Sequence, residues 1–344
     1  MAHALTTFLQ PALEAVATAA EITRRVQANL ASIGEHAKDD RSPVTVADYA
    51  AQAIVSLVLE SAGLPPGDRL IVGEEDSEAL QGPELEAVRA AVVATVSQWR
   101  PGLDEATILA AIDCCDHDGS AAGYWTLDPV DGTKGFLRGQ QYAIALGRIE
   151  QGEVVLGVLG CPNLPIDVQI EPTEADPTGI GSLYAAVRGE GSWEYPGADP
   201  YEQPLRIHCP TWSSDMPVRT CASVEKAHTN RSDTDRLLDH IGANIEPVRL
   251  DSQAKYAVLA RGQADAYLRM PTRPDYVERI WDHAAGSLLA SEAGASVTDI
   301  TGAPLDFTCG AGLERNRGVV AAAAGLHPQL IDGIRTLDLI PTVS

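Results

Sequence analysis

Basic residues are scarce in this 344-residue chain: 25 Lys and Arg stand against 48 Asp and Glu, a formal net charge of −23. A field of that sign repels nucleic acid, so neither duplex nor single-strand binding is expected. It also repels a phosphorylated small molecule, unless metal ions reverse the sign locally. The acids are scattered along the chain and read mostly as a solvated surface. No apolar run has the length of a transmembrane helix. Met1 to Gln10 shows neither a signal-peptide nor a transit pattern, so a cytoplasmic location away from membranes is expected. The six cysteines (Cys114, Cys115, Cys161, Cys209, Cys221 and Cys309) lack metal-ligand spacing and the density of a secreted disulfide framework. Reduced thiols are the expectation. GxxxxGK followed by Ser or Thr, HExxH and CxxC are all missing, which removes P-loop, zincin and redox-pair chemistry. No repeat or low-complexity tract is present.

What is there describes an ordinary globular chain, 45% hydrophobic and 21% charged, long enough for two subdomains. Apolar residues recur at helical spacing from about Leu5 to Ile33, Val46 to Ser61 and Glu84 to Trp99. Arg69 to Gly73 reads as a short strand. Tyr142–Ile149 with Glu153–Gly160, and Leu183–Val187 with Ser192–Tyr195, read as hairpins around Gly-containing turns. Glu171 to Gly181 reads as an exposed loop. From about Leu205 strands alternate with helices: strand 218–222, helix 229–241, strand 247–250, helix 252–261, strand 264–269, helix 282–293, strands 296–299 and 318–321, helix 327–336. That pattern predicts an α/β half behind an α+β half, with the boundary near residue 200.

The densest chemistry lies at Asp128-Pro129-Val130-Asp131-Gly132-Thr133. A strand ending at Leu127 would deliver Asp128 and Asp131 together at its carboxyl edge. Pro129 stiffens the turn, and Gly132 lets the backbone approach a ligand closely. Two hard oxygen ligands and a main-chain carbonyl suit Mg²⁺. Asp-Pro and Asp-Gly are also common turn dipeptides, so the segment alone leaves a plain turn open. Three further acids fall at suggestive places. Glu74 follows a strand in Val72-Gly73-Glu74-Glu75. Asp48 stands in the first turn of the second helix, and Asp282 opens a helix in Trp281-Asp282-His283-Ala284-Ala285-Gly286. For Asp48 and Asp282, placement at a helix amino end is the ordinary alternative.

Taken in order, Gly73-Glu74-Glu75, Asp128 to Thr133 and Trp281 to Gly286 resemble the signature of the lithium-sensitive, magnesium-dependent phosphatases related to inositol monophosphatase and fructose-1,6-bisphosphatase. Within that superfamily the chain is most similar to the 3′(2′),5′-bisphosphate nucleotidases. That likeness is carried by Lys38-Asp39-Asp40, Ser42-Pro43-Val44-Thr45, Lys134 to Gly139, Ser223 to His228, Leu250 to Tyr256 and Tyr267-Leu268-Arg269. Val130 replaces the usual isoleucine without consequence, because the family uses the carbonyl there. Ser287 departs from the expected asparagine, and Asp113 to Gly119 departs from the shorter family loop.

The resemblance implies a layered αβαβα sandwich. An N-terminal subdomain (1–200) would carry most metal ligands, and a C-terminal one (201–344) the nucleotide contacts and Asp282. It implies two to three Mg²⁺ ions, with Glu74, Asp128 and the Val130 carbonyl holding one. Asp128, Asp131 and Asp282 would hold a second, with Asp48 reaching a third through water. Thr133 paired with Asp48 would take the proton of the attacking water, and amides near Gly132 and Thr133 would cradle the phosphate. His228, Ser252, Lys255 and Arg269 would contact the nucleotide. The implied reaction, belonging to sulfur assimilation, removes the 3′-phosphate of adenosine 3′,5′-bisphosphate to give AMP, and acts on the sulfated analogue too. An inositol phosphate phosphatase with the same metal core is the alternative. An inactive nucleotide sensor is disfavoured, since the ligand set is complete. A monomer is expected.

Overall fold

The computed structural model describes residues 2–33, 42–224, 231–242, 244–273 and 275–340. Helices α1 (Ala2–Ile33) and α2 (Ser42–Ser61) pack along each other, with α3 (Glu86–Trp99) and α4 (Glu105–Asp113) against α2. The seven-stranded first sheet follows chain order: β1 (Ile71–Gly73), β2 (Gly123–Asp131), β3 (Ala143–Glu150), β4 (Glu153–Cys161), β5 (Ser182–Val187), β6 (Gly191–Tyr195) and β7 (Leu205–Arg206). Only β1 and β2 run parallel; every later neighbour is antiparallel. The β3–β4 hairpin closes on Gln151 and Gly152, both at positive φ, which is the primed turn that matches strand twist.

The second sheet has the order β11-β12-β10-β8-β9, built from β8 (Val218–Ala222), β9 (Ile245–Arg249), β10 (Ala266–Arg269), β11 (Ser296–Thr298) and β12 (Val319–Ala322). Its helices are α6 (Arg231–Ile241), α7 (Ala254–Ala260), α8 (Ala284–Glu292) and α9 (His327–Thr336).

Both faces of the first sheet are covered, and the strand period shows how. Ile144, Leu146, Leu156 and Val158 join the core under α1 and α2, while Ala143, Ala145, Ile149 and Leu159 join the core shared with the second sheet. Gly160 lies against Val16 and Ala20 of α1. Gly157, three residues away and so on the opposite face, lies under α8, where an added Cβ would stand 2.7 Å from the Ala285 carbonyl. Helix α8 packs on β3 to β6 and also on α7 and β11, so it is the layer between the sheets. With α6 and α9 packed together beside β12, the mixed α/β sandwich expected from the sequence is the observed fold.

Two local expectations need correction, and one helix was not expected. Strand β2 does not end at Leu127; it continues to Asp131 through a bulge, because Asp128 pairs with Ala145 and Asp131 with Ala143. Proline is admitted in sheets at such bulges, so Pro129 sits where the ladder already breaks. Asp48 does not lie in the first turn of α2, since the helix begins at Ser42, and amino-end placement no longer accounts for it. Helix α4, capped by the Asp104 carboxylate accepting from Thr107 N at 2.8 Å, has no counterpart in the sequence reading. Among the described residues no helix is long and apolar enough to cross a membrane, and all six cysteines are free thiols.

Candidate active site

The bulge gathers the acids. With one extra residue between Asp128 and Asp131, the Pro129-Val130 backbone leaves the ladder, and Val130 lines a cavity of about 410 Å³. Glu74, Asp128, Asp131, Gly132, Thr133, Asp282, Ser252, Lys255 and Arg269 line the same cavity. Gly132 stands at φ +91°, and a Cβ on it would meet the Ser252 side chain at 2.9 Å. Only glycine therefore turns β2 into α5 (Thr133–Leu137) here. Three residues on, Gly135 lies against the Gln141 carbonyl, 2.2 Å from where its Cβ would be.

Carboxylate oxygens of Asp128, Asp131 and Asp282 lie within 4.8 Å of one another. Asp128 is buried, its Oδ1 has no hydrogen-bond partner, and its carboxyl touches that of Glu74. Such crowding raises Asp128, Glu74 and Asp131. Burial, then Glu74, Asp131 and Asp282, hold Asp128 well above the usual carboxylate range. Burial, then Asp282 and Glu75, push Glu74 up to about 7. Asp131 is raised to about 6 by burial and Asp282, against the opposing pull of Lys255, the Gln253 N–H and Arg269. A buried orphan oxygen amid hard carboxylate donors is the set that a divalent cation satisfies, and these residues fit one.

A second grouping, Glu278, Asp282 and His283, also brings its ligand atoms together. There the Glu278 carboxylate is already engaged by Arg269 Nε at 2.8 Å and lies 3.2 Å from His283 Nε2. The first cluster alone has an unsatisfied oxygen.

Asp48 does not line the cavity. It is buried in α2 behind Glu74 and Glu75, and desolvation followed by those two charges raises its pKa. Arg269, at the end of β10, is ion-paired to Glu278 and lies 3.6 Å from Asp282. Lys255, one residue into α7, is buried, with its ammonium 5.2 Å from the Tyr267 ring centroid. Desolvation lowers its pKa, opposed chiefly by Asp131 and Asp251. Ser252 sits at φ +70°, unusual for a residue with a side chain. His228 lies outside the described residues.

Several residues of the site carry no signal in the sequence. Glu278 and Tyr276, which brace and flank Arg269, fall in an aperiodic loop. Asp251 lies within the Leu250–Tyr256 motif; it accepts from Arg138 at 2.6 Å and Ser223 Oγ at 2.9 Å and ties three loops together. Gln52 is buried on α2 and grips the loop after β1. Its Nε2 donates to the Glu75 carbonyl at 2.6 Å and its Oε1 accepts from Glu75 N at 3.2 Å. In the sequence Gln52 stands one helical turn after Asp48 and one before Ser56, and that polar row on an apolar helix is the visible hint.

The sequence matches the Inositol monophosphatase family profile over residues 4–336. The chain belongs to the inositol monophosphatase family. It is 40% identical over 336 residues to a Schizosaccharomyces pombe protein named 3′(2′),5′-bisphosphate nucleotidase, covering 94% of this chain and 93% of that one. A protein of the same name from Oryza sativa is 40% identical over 341 residues, covering 95% and 93%. Among solved structures, an inositol monophosphatase from Anabaena superposes with a TM-score of 0.60 at 20% identity, covering 96% of each chain. CysQ from Bacteroides thetaiotaomicron, a bacterial member of the same family, gives 0.57 at 19% identity, covering 91% of this chain and 96% of that one. At that identity the structures establish the fold, and the curated relatives carry the closer kinship. Enzymes of this family are metal-dependent phosphatases, and the acid cluster of this chain is of the kind that binds metal.

Proposed function

We propose that this chain is a Mg²⁺-dependent 3′(2′),5′-bisphosphate nucleotidase that converts adenosine 3′,5′-bisphosphate to AMP and phosphate, and that also accepts the sulfated analogue. The observation that carries the reading is the mixed charge of one cavity. Carboxylates of Asp128, Asp131 and Asp282 cluster there, and the Lys255 and Arg269 cations line the same cavity, Arg269 3.6 Å from Asp282. Acids able to hold cations beside two basic side chains suit a substrate with two phosphates. The names of the relatives at 37–40% identity support the nucleotide as its core.

Glu74, Asp128, Asp131, Asp282 and the Val130 carbonyl would hold the cations. Bound divalent ions supply water activation and neutralise charge on the phosphoryl and leaving oxygens. Thr133, at the start of α5, orients the attacking water and relays its proton toward Asp48, whose raised pKa suits it to hold one. The water oxygen bonds phosphorus while the bond to the ribose 3′ oxygen breaks, and that oxygen leaves protonated from solvent. Lys255, Ser252 and Arg269 bind the other phosphate and the nucleoside.

Phosphate release with Mg²⁺ is compared for adenosine 3′,5′-bisphosphate, inositol 1-phosphate and inositol 1,4-bisphosphate, each with and without lithium. Preference for the nucleotide, quenched by lithium, is the expected result. Preference for an inositol phosphate would overturn the substrate, and inactivity on all three would overturn the enzyme reading.

A further inference from the structure

Gln253 is buried and does not line the cavity, yet it touches both Asp131 on β2 and the segment that brings in Asp282. Its backbone N–H donates to Asp131 Oδ2 at 2.5 Å. Its side-chain Nε2 donates to the Trp281 carbonyl at 2.7 Å, the residue immediately before Asp282. Its Oε1 accepts from Gly286 N at 3.0 Å, in the first turn of α8.

The first backbone N–H groups of a helix have no partner within it, and His283, the residue just before α8, makes no side-chain cap. Gln253 therefore caps α8 from another element, while the opposite end of the same amide holds the turn that carries Asp282. The residue's own placement is equally constrained. Ser252 before it adopts φ +70°, its Oγ accepts from Ala254 N at 3.1 Å, and Gly132 leaves the room its side chain occupies. A side chain fixed at this cost in local strain, with both amide atoms used, is suited to setting a distance.

We infer that Gln253 is a positioning residue: it sets the separation of Asp131 and Asp282, and so the affinity of the acid cluster for a divalent cation. The inference rests on the metal reading given above and adds to it the residue that determines the ligand geometry. Groups that orient ligands from outside the coordination sphere commonly change metal affinity by ~10–100-fold when replaced.

The test is Mn²⁺ binding by electron paramagnetic resonance to the full chain, to Gln253→Met and to Asp131→Asn. Gln253→Met keeps the side chain's length and removes both polar ends. The expected result is a Mn²⁺ Kd at least ~10-fold weaker in Gln253→Met, with the substrate KM at saturating metal close to the parent's. A purely structural role would lower the melting temperature and leave the Kd of the folded variant unchanged, and that result overturns the inference. Should near-ultraviolet circular dichroism show Gln253→Met unfolded, Gln253→Glu decides. It can still accept from Gly286 N and loses only the donor to Trp281. Its added negative charge attracts a cation, so a weaker Kd in it reports geometry and supports the inference, while a parental or tighter Kd overturns it. If the parent chain fails to bind Mn²⁺, or Asp131→Asn binds as the parent does, the metal reading itself falls. That outcome is distinct from an unchanged Kd at Gln253 alone.

Discussion

The Tyr256 hydroxyl lies 2.9 Å from His283 Nδ1, and both residues are fully buried. From there His283 Nε2 reaches Glu278 at 3.2 Å, Glu278 pairs with Arg269, and Arg269 approaches Asp282. A continuous polar chain thus runs from the interior of α7 to the acid cluster. Gly286 makes room for its first member, since a Cβ there would lie 2.2 Å from the Tyr256 ring. Gly286→Ala must displace Tyr256, and overpacking of this kind costs about 1–3 kcal/mol. Urea unfolding of the variant should show that loss, together with a fall in kcat. An unchanged denaturation midpoint would show that the ring moves without resistance.

Glu278→Gln breaks the same chain at its charged centre. Although burial opposes ionisation of Glu278, His283 and Arg269 together hold it below the usual carboxylate range, so it is ionised. Its amide leaves the buried Arg269 without its carboxylate, and loss of one partner of a buried pair destabilises by about 3–5 kcal/mol. A melting curve reads this directly. Parental stability would mean that Asp282 alone suffices for Arg269.

Asp131→Asn and Asp282→Asn should each abolish turnover at saturating Mg²⁺. Metal stabilisation of developing charge is worth several kcal/mol, and each 1.4 kcal/mol is tenfold, so a fall of ~10³ or more in kcat is expected. A near-parental rate in either variant would remove that residue from the ligand set.

Lys255→Ala should discriminate between substrates. Hydrogen bonds to charged groups contribute about 1.5–3 kcal/mol, so KM for adenosine 3′,5′-bisphosphate should rise by ~10–100-fold. KM for a monophosphate, which has no second phosphate to lose, should move little. Equal losses on both would place Lys255 at the reacting phosphate instead.

The raised acids give a pH dependence with a definite sign. Glu74 is lifted from 4.5 to about 7 and Asp131 from 3.8 to about 6. Between the unfolded and folded values, the cation-free native chain binds more protons than the unfolded one, so its stability decreases as pH rises through that window. Thermal unfolding in chelator should therefore show a higher midpoint near ~pH 5 than near ~pH 8, at the low and high ends of the window. Protons compete with the cation, so the stabilisation produced by added Mg²⁺ should grow with pH across the same interval. A chelated chain that gains stability as pH rises through it would contradict the crowding of these carboxyls.

Much of the site was legible because its chemistry is local in sequence. Asp128, Asp131, Gly132 and Thr133 fall within six residues, and Glu74 directly follows the strand that pairs with theirs. The continuation of β2 through Pro129 was hidden because a proline argues against a strand unless a bulge intervenes, and a bulge depends on the partner strand. Helix α2 begins at Ser42, ahead of the expected Val46, because Ser42-Pro43 starts the helix and does not form a turn; proline is favoured in a helix's first turn. Gln52, Gln253 and Glu278 act through tertiary hydrogen bonds to partners 23, 28 and 122 residues away or across a loop, and no spacing rule encodes such pairings.

The acids of the cluster are divided between chain segments that the first and second sheets supply separately. Asp128 and Asp131 lie on β2, while Asp282 arrives with α8 from beyond residue 218. A chain severed in the exposed stretch around Pro200–Gln203, between β6 and β7, would leave two fragments, each holding an incomplete set of ligands. Phosphatase activity recovered on mixing them would then report reassembly itself, which makes this centre a ready-made sensor of fragment complementation.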